Sequence, residues 1–109
     1  MSAPFFKLQV LTPDARVLEA EVESLVLPGI GGLFGVLARH APMVAALRPG
    51  VMKTIRTGET GFCVVGDGAA EVSPDGVLVL AESFIRAADR DDAEDKLEEM
   101  LKAADAVKP

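Results

Sequence analysis

The sequence predicts a mainly β protein, a two-sheet antiparallel β-sandwich followed by a single C-terminal α-helix. Between residues 6 and 87, short apolar segments alternate with turns rich in Gly, Pro and Asp, a pattern typical of antiparallel sandwiches. After residue 88 the spacing of the apolar residues changes from two to that of a helix,. We therefore predict a β-sandwich domain at residues 1–88 and a truncated helical region at residues 89–109.

The first predicted strands show clear alternation. Residues 6–10 alternate between apolar and polar side chains, and a turn at Thr12–Asp14 separates them from a second alternating segment, Leu18–Val22,. After Ser24 the apolar residues change parity. This phase change predicts a bulge or bend where the chain passes from one sheet to the other.

A glycine-rich stretch, Pro28–Gly50, has an unusual composition. It carries four glycines within positions 29–35 and a turn at His40–Pro42, and it lies within a longer segment, Ser24–Gly58, that contains no acidic residue. Glycine is favoured where φ is positive or where another surface approaches the backbone closely. We interpret the stretch as a rigid loop with an apolar tip, suited to contact with a partner more than to catalysis.

The second half of the sandwich continues the pattern of strands and turns. Gly66-Asp67-Gly68 predicts a β-hairpin, and Pro74-Asp75-Gly76 predicts a tight turn,. The remaining predicted strands are Val44–Leu47, Val51–Thr57, Phe62–Val65, Ala69–Ser73, Val77–Ala81 and Phe84–Ala87.

The C-terminal segment predicts one amphipathic helix. Asp89 is a suitable N-cap, and the acidic residues after it favour the positive end of the helix dipole,. One narrow stripe of residues has helical spacing and could pack on the sandwich or on a partner. The stripe consists of Ala93, Leu97, Met100, Leu101, Ala104 and Val107.

Composition excludes several classes of protein. The 109 residues carry a net charge of −6, which argues against a nucleic-acid partner because phosphates attract the opposite charge. A single cysteine, Cys63, excludes an internal disulfide, and we expect it to be a small buried hydrophobe,. We expect no transmembrane segment, because no stretch approaches the roughly 20 apolar residues that span a bilayer, and no signal peptide.

The residues that could support catalysis or ligand binding lack the necessary partners. A dinucleotide fingerprint starting at Gly29 would need a glycine where Phe34 stands,. His40, the only histidine, has no predicted partner for a zinc site or a triad, so we interpret it as a turn histidine bonded to nearby backbone,. We expect no metal, no cofactor and no enzymatic activity; an enzyme that uses His40 is the alternative of another class.

The glycine-rich stretch resembles the signature of the epsilon subunit of the F-type ATP synthase. The resemblance rests on Pro28-Gly29, Gly32, Gly35-Val36-Leu37, His40-Ala41-Pro42-Met43, Leu47 and Pro49-Gly50, with supporting matches before and after them. It covers about residues 5–88.

This resemblance implies a β-sandwich of two five-stranded sheets followed by a helical hairpin. It also implies a non-catalytic rotor subunit in the central stalk, which binds the gamma subunit and the ring of c subunits and acts on the alpha/beta head indirectly. Such a subunit couples proton flow to ATP synthesis from a peripheral position on the cytoplasmic face of the bacterial inner membrane.

Two groups of residues correspond to contact positions of that family. The resemblance assigns Gly32, Leu33 and Phe34 to the c-ring contact, and Thr12, His40 and Pro42 to the gamma contact. Members of the family often carry an acid where Leu33 stands, so we expect a more apolar contact here.

The C-terminal region departs from the family pattern. The sequence contains one helix where the family usually has two, so we expect a reduced role in restraining ATP hydrolysis. The nucleotide motif of the family is degenerate: Asp91 is kept, whereas Glu94 replaces an arginine that would face phosphate,. We therefore expect no ATP binding at this site; the alternative is a nucleotide-responsive regulatory module that acts through the helix.

Overall fold

The computed structural model describes residues 4–106, in which ten β-strands precede one α-helix. Both the mainly β class and the C-terminal helix agree with the sequence prediction. The elements are β1 Phe6–Leu11, β2 Arg16–Val22, β3 Ser24–Gly29, β4 Gly32–Leu37, β5 Met43–Leu47, β6 Gly50–Arg56, β7 Glu59–Val65, β8 Gly68–Ser73, β9 Gly76–Ala81, β10 Phe84–Ala87 and α1 Arg90–Ala106.

The strands form two layers of five that join along one side. The first sheet has the order β2-β1-β9-β8-β5, and the second has the order β10-β7-β6-β3-β4. A single pair, Gly29 with Leu47, connects β3 to β5 and makes the two sheets continuous. Only β1 and β9 pair in parallel; the other pairs described are antiparallel. The predicted two-sheet sandwich is confirmed.

The core lies between the two sheets and is entirely apolar in residues 4–106. Each strand contributes alternate residues to it, as the period of two requires. Each Leu or Val side chain that is fully buried contributes about 1.5–3 kcal/mol of hydrophobic stabilisation. The largest fully buried side chains are Leu8, Leu25, Leu27, Leu47 and Met52.

The parity change after Ser24 marks the passage between the sheets, as predicted. β2 ends at Val22 in the first sheet, and β3 begins at Ser24 in the second. Glu23 occupies the crossing point, where its backbone N–H donates to the carbonyl oxygen of Ile55 at 2.7 Å. The single residue between the strands rotates the apolar positions toward the core of the second layer.

The hairpin predicted at Gly66-Asp67-Gly68 is wrong. β7 pairs with β6 and β10, whereas β8 pairs with β5 and β9, so this segment crosses between sheets. It runs beside the β9–β10 connection, where the Gly66 N–H donates to the Ser83 carbonyl at 3.0 Å. A Cβ atom at Gly68 would collide with the Leu80 carbonyl oxygen. The glycines therefore serve the close approach of two crossing segments rather than a tight turn.

The prediction that the glycine-rich stretch before Val44 is a loop is also wrong. Gly32–Leu37 is a regular strand, β4, and it pairs with β3 along its full length. Ile30 and Gly31 form the turn between these strands. The strand escaped recognition because its outward-facing residues Leu33 and Leu37 are as apolar as its inward-facing ones, which hides the alternation.

The helix begins where the sequence predicts. Asp89 Oδ1 accepts a hydrogen bond from the Asp92 backbone N–H at 2.8 Å, and Asp92 Oδ2 accepts one from the Ala88 N–H at 2.8 Å. These reciprocal bonds satisfy two backbone donors that a helix N-terminus would otherwise leave free.

The helix packs on the outer face of the second sheet, over β6, β7 and β10. Ala93 and Val64 are both fully buried there, outside the main core. Farther along the predicted stripe, Leu101 and Ala104 are exposed, and Val107 lies outside the described residues. The sandwich therefore covers only the first part of the stripe.

Candidate interaction surfaces

The β3–β4 hairpin presents an uncharged apolar tip to solvent. Ile30 in the turn and Leu33 at the start of β4 each have 67% of their surface exposed. Gly32 between them is also exposed, whereas Phe34 is half-buried and packs against the core. Of the three residues assigned to the c-ring contact, two therefore lie at the surface of the tip and the third anchors it.

Backbone hydrogen bonds fix this hairpin to the first sheet. The Ile30 N–H donates to the Ala46 carbonyl at 3.0 Å, and the Arg48 N–H donates to the Pro28 carbonyl at 3.0 Å. The Arg48 side chain adds a bond from Nε to the Gly29 carbonyl at 3.3 Å. The tip is thus held by the sheet it joins.

Beside the tip lies an open groove of about 450 Å³. Its lining contains no charged residue and consists of Gly29, Ile30, Gly31, Gly32, Leu33, Phe34, Met43, Ala45 and Ala46. The hairpin tip and this groove together form a continuous apolar surface.

An apolar row crosses the outer face of the first sheet and ends at the hairpin tip. The strand registers place Leu11 beside Leu80, Leu80 beside Ala69, and Ala69 beside Ala46. Ala46 in turn accepts the hydrogen bond from Ile30. On the same face, Val44 is 74% exposed and Leu80 is 50% exposed. We call Leu11, Leu80, Ala69 and Ala46 the apolar row.

Charged residues border this surface on the side of β1 and β2. Glu19 accepts a hydrogen bond from Gln9 Nε2 at 2.9 Å and lies 3.6 Å from Lys7 Nζ. The hydrogen bond from Gln9 and the charge of Lys7 lower the pKa of Glu19. The apolar row is therefore bordered by charged residues on β1 and β2 and, beside Val44, by the exposed Glu71 of β8.

The three residues assigned to the gamma contact are not adjacent. Thr12 follows the apolar row and lines an open cavity of about 470 Å³ with Leu11 and Leu80. His40 and Pro42 precede β5, at the opposite end of the same sheet. Thr12 is level with Leu47 in the strand registers, so three strand spacings and five residues separate it from Pro42 by roughly 22 Å. A partner that touches both must cover the outer face of the first sheet.

His40 is bonded to backbone, as the sequence predicts for a turn histidine. Its Nδ1 lies 2.7 Å from the Ala41 carbonyl oxygen, and its backbone N–H donates to the Leu37 carbonyl at 3.2 Å. Arg39 has a positive φ of 61° in this turn. The geometry assigns His40 to the connection between β4 and β5.

The residues of the degenerate nucleotide motif lie on the exposed face of α1. Asp91 and Glu94 are both exposed. Glu94 lines a groove of about 350 Å³ between α1 and the second sheet, together with Arg48, Lys53 and Arg90. In residues 4–106, no three His, Cys, Asp or Glu side chains are grouped as metal ligands would be.

The apolar row and its neighbour Val44 were not predicted from the sequence. Each member is an unremarkable Leu, Ala or Val within its own strand, and the row exists only through the pairing of four strands. The usable signal was that Leu11, Val44 and Leu80 occupy outward-facing positions, where a soluble sheet usually carries polar residues.

The comparison with family models decides the family. Residues 5–87 match the model for the beta-sandwich domain of the ATP synthase delta/epsilon chain. The chain belongs to the ATP synthase delta/epsilon chain family. The family resemblance stated from the sequence is confirmed.

Curated relatives of this family are ATP synthase epsilon chains. The chain is 43% identical over 88 residues to the epsilon chain of Rhodopseudomonas palustris (strain BisA53), a match that covers 81% of this chain and 65% of that relative. It is 38% identical over 104 residues to the epsilon chain of Bordetella parapertussis, covering 89% and 74% respectively. The chain thus spans slightly less than two thirds of the Rhodopseudomonas relative.

Solved structures of ATP synthases share the fold. A chain in the Euglena gracilis mitochondrial ATP synthase OSCP/F1/c-ring structure matches with a TM-score of 0.75 and 24% identity, covering 94% of this chain and 65% of that one. A chain in the central stalk/c-ring structure of the Tetrahymena thermophila mitochondrial ATP synthase matches with a TM-score of 0.63 and 11% identity, covering 90% of each. At 24% and 11% identity, these matches show a shared fold and nothing further. In the described part of this chain, no helix has the length and apolar character needed to cross a bilayer.

Proposed function

We propose that this protein is a central-stalk rotor subunit of a proton-translocating ATP synthase and couples proton flow to ATP synthesis by binding the gamma subunit and the c-ring. The observation that carries the proposal is the continuity of the hairpin tip with the apolar row. The hairpin tip adjoins the apolar row, and the row extends across the first sheet to Thr12. One rigid body thus offers two neighbouring contact surfaces, as torque transfer between two partners requires.

We assign the c-ring contact to the hairpin tip. Ile30 and Leu33 project from a turn that is held by the bonds of Pro28, Gly29 and Ile30 to Ala46 and Arg48. A contact surface that is already ordered loses little conformational freedom on binding, which favours affinity. Because the tip carries no charge, it fits an apolar surface on the ring better than a charged one.

We assign the gamma contact to the outer face of the first sheet. A partner that reaches both Thr12 and Pro42 also covers Val44 and Leu80, the two most exposed apolar side chains of that face. Burial of apolar side chains at the centre of an interface, with a charged border around it, is the usual anatomy of a stable contact. The border here consists of the charged side of β1 and β2, where Glu19 lies, and of the exposed Glu71, which pairs with Val44.

This assignment places the chain at the periphery of the membrane, on the side where the synthase head lies. The helix α1 packs on the second sheet, and its residues Arg90, Glu94 and Leu97 line one groove with Leu33 of the hairpin tip. We assign to it a role in restraining ATP hydrolysis.

Recovery of partners from detergent-solubilised membranes tests the proposal. The tagged chain should recover the gamma subunit together with the c-ring, and Val44→Asp should lose most of the gamma subunit while remaining folded. Leu37→Asp is the matched control, because Leu37 is 65% exposed on the other sheet. If the chain recovers neither partner, the proposed function is wrong. If Leu37→Asp loses gamma and Val44→Asp does not, the gamma contact lies on the second sheet.

A further inference from the structure

The sandwich has one open side. Its two sheets are continuous where Gly29 pairs with Leu47, but on the other side β2 and β10 are both edge strands that do not pair with each other. We call the gap between β2 and the β6-β7-β10 part of the second sheet the seam. A seam of this kind is where two packed sheets can separate without breaking a strand ladder.

Three hydrogen bonds cross the seam in the part of the chain that the structure describes. Two of them lie at Glu23, whose N–H donates to the Ile55 carbonyl at 2.7 Å and whose Oε1 accepts from the Gly58 N–H at 3.3 Å. The third lies at the far end of β2, where Arg86 Nη2 donates to the Val17 carbonyl at 2.9 Å. At the Glu23 end the chain passes from one sheet to the other, so the two sheets are covalently connected there. At the Val17 end, among the residues that the structure describes, only the Arg86 side chain connects them.

The Val17 carbonyl that accepts the bond from Arg86 lies at a β-bulge in the edge strand β2. The register between β1 and β2 pairs Val10 with Leu18 and then Leu11 with Arg16, so Val17 has no residue opposite it on β1. An extra residue of this kind is left outside the ladder and redirects the strand locally. The sequence of β2 therefore builds an acceptor at the point that faces β10.

The Arg86 guanidinium is also positioned by its own strand. Its Cζ lies 5.4 Å from the centroid of the Phe84 ring, two residues earlier in β10. A guanidinium at this distance over an aromatic face is attracted by the ring electrons and loses side-chain freedom. Stacking on Phe84 therefore orders the Arg86 side chain independently of its hydrogen bond to the Val17 carbonyl.

Behind this bond lies a cavity of about 230 Å³ that reaches the core. Core side chains from both sheets line it, including the fully buried Leu8 and the nearly buried Cys63. Arg56 and Arg86 lie at its rim. Opening of the seam at this end would expose the apolar interior to water.

We propose that Arg86 is a latch that holds the seam closed at the Val17 end, so that the two sheets move as one rigid body. The latch acts on a local opening of β2 and β10 and leaves the Gly29–Leu47 side intact. It is a positioning residue for the sandwich and does not depend on which partners the protein binds. A rotor subunit that carries load between two partners would need such a latch, because the hairpin tip belongs to the second sheet and the other proposed contact surface belongs to the first.

The single cysteine provides a direct measurement of this opening. Cys63 lies opposite Arg86 in the β7–β10 register and lines the cavity. In the closed state it is 6% exposed, so a small maleimide reacts only when the seam or the whole domain opens. The dependence of the labelling rate on urea distinguishes seam opening from global unfolding. Seam opening exposes little surface, so its rate changes little with urea, whereas labelling through global unfolding rises steeply.

In the full chain under native conditions, Arg86→Ala should raise the rate of Cys63 labelling by about tenfold or more, with a rate nearly independent of low urea concentration. Removal of the positive charge cannot itself cause this increase, because Arg86 lowers the pKa of the Cys63 thiol and its loss would make the thiol less reactive. Arg86→Met keeps the apolar stem and should raise the labelling rate in the same way. It serves as the test variant if Arg86→Ala folds poorly.

Arg56→Ala is the matched control, since Arg56 lines the same cavity but makes no hydrogen bond across the seam in residues 4–106. It should label at the rate of the parent protein. The latch is refuted if both Arg86 variants label at the parent rate, if their labelling follows urea as global unfolding does, or if Arg56→Ala opens the seam equally.

Discussion

Pro28 packs against Gly50 so closely that a Cβ atom added at Gly50 would lie 2.5 Å from the Cβ of Pro28. Both residues are buried, and Pro28 pairs with Leu33 at the tip end of the β3–β4 hairpin. The Pro28 carbonyl also accepts the backbone bond from Arg48, two residues before Gly50. The position of the hairpin therefore depends on a residue that has no side chain and lies in a different strand.

We expect Gly50→Ala to destabilise the protein. The added methyl group meets Pro28, a rigid ring that cannot move without its strand, and overpacking of this kind costs about 1–3 kcal/mol. The free energy of unfolding in urea measures the effect. Gly31→Ala, in the hairpin turn, is the control, because a Cβ atom there has open space within 4 Å and should change the free energy by about 0.5 kcal/mol or less. Equal stability of the two variants would show that Pro28 and its strand move easily to make room for the added methyl group.

Leu33→Asp should weaken c-ring binding without unfolding the protein. Leu33 is 67% exposed, and a carboxylate at that position must lose water when an apolar partner covers it. We expect at least a tenfold weaker affinity, about 1.4 kcal/mol, in a binding assay with the purified c-ring.

Leu37→Asp tests whether this effect belongs to the tip. Leu37 lies on the same strand and the same face and is 65% exposed, so both substitutions carry the same strand-propensity penalty of about 1 kcal/mol or less. Its c-ring affinity should stay close to that of the parent protein. Equal loss of binding in both variants would assign the contact to the whole face of β4, and no loss in either would remove the hairpin tip from the c-ring contact.

The parts of the fold that the sequence predicts are those in which local chemistry is unambiguous. β1 and β2 alternate strictly because one face is buried and the other carries Lys, Gln and Glu. The helix start at Asp89 was predictable because capping depends on residues within one turn of each other. The Pro74–Gly76 turn joins β8 to β9, where Ser73 pairs with Gly76, for the same local reason.

The parts that the sequence does not predict depend on which strands meet. Gly66-Asp67-Gly68 has the composition of a hairpin turn, and only the pairing of β7 and β8 with other strands shows that it crosses between sheets. The bulge at Val17 is a property of the register between two strands. The apolar row likewise needs four strands in register, so single-strand patterns could suggest its members but not its continuity.

Asp92→Asn should destabilise the helix at neutral pH but not in acid. The hydrogen bonds from Lys96 Nζ at 2.7 Å and from the Ala88 N–H at 2.8 Å lower the pKa of Asp92 below its ordinary value. A carboxyl with a lowered folded-state pKa contributes stability that is complete above its unfolded value, about 3.9, and is lost as the pH falls through the folded value. The difference between parent and variant should therefore be constant from neutral pH to about pH 5 and disappear in stronger acid.

Thermal unfolding followed by helix ellipticity over this pH range measures that difference. Asp91→Asn is the control, because Asp91 lies in the same first turn and makes no side-chain hydrogen bond within residues 4–106. It should alter stability less than Asp92→Asn at neutral pH. A difference between the parent and Asp92→Asn that persisted unchanged in acid would mean that packing, rather than the carboxylate, is responsible.

Cys63 should make the stability of the domain decrease in alkaline solution. Burial raises the pKa of its thiol to about 12, and the charge of Arg86 offsets this only in part. In the unfolded chain the thiol has a pKa of about 8.5. Because the folded value is higher, the stability contribution is complete below about pH 8.5 and is lost as the pH rises toward 12.

The variants Cys63→Ala and Cys63→Val isolate this effect, because neither residue titrates and the two differ in volume in opposite directions from cysteine. Above about pH 9 the free energy of unfolding of the parent should fall more steeply than that of either variant, with a difference that approaches 1.4 kcal/mol per pH unit at most. Urea unfolding at closely spaced pH values gives these slopes, whereas the absolute stabilities will also reflect the change in packing. Parallel slopes in all three proteins would mean that the thiol ionises in the folded state as readily as in water. In that case the seam beside Cys63 would be open to solvent.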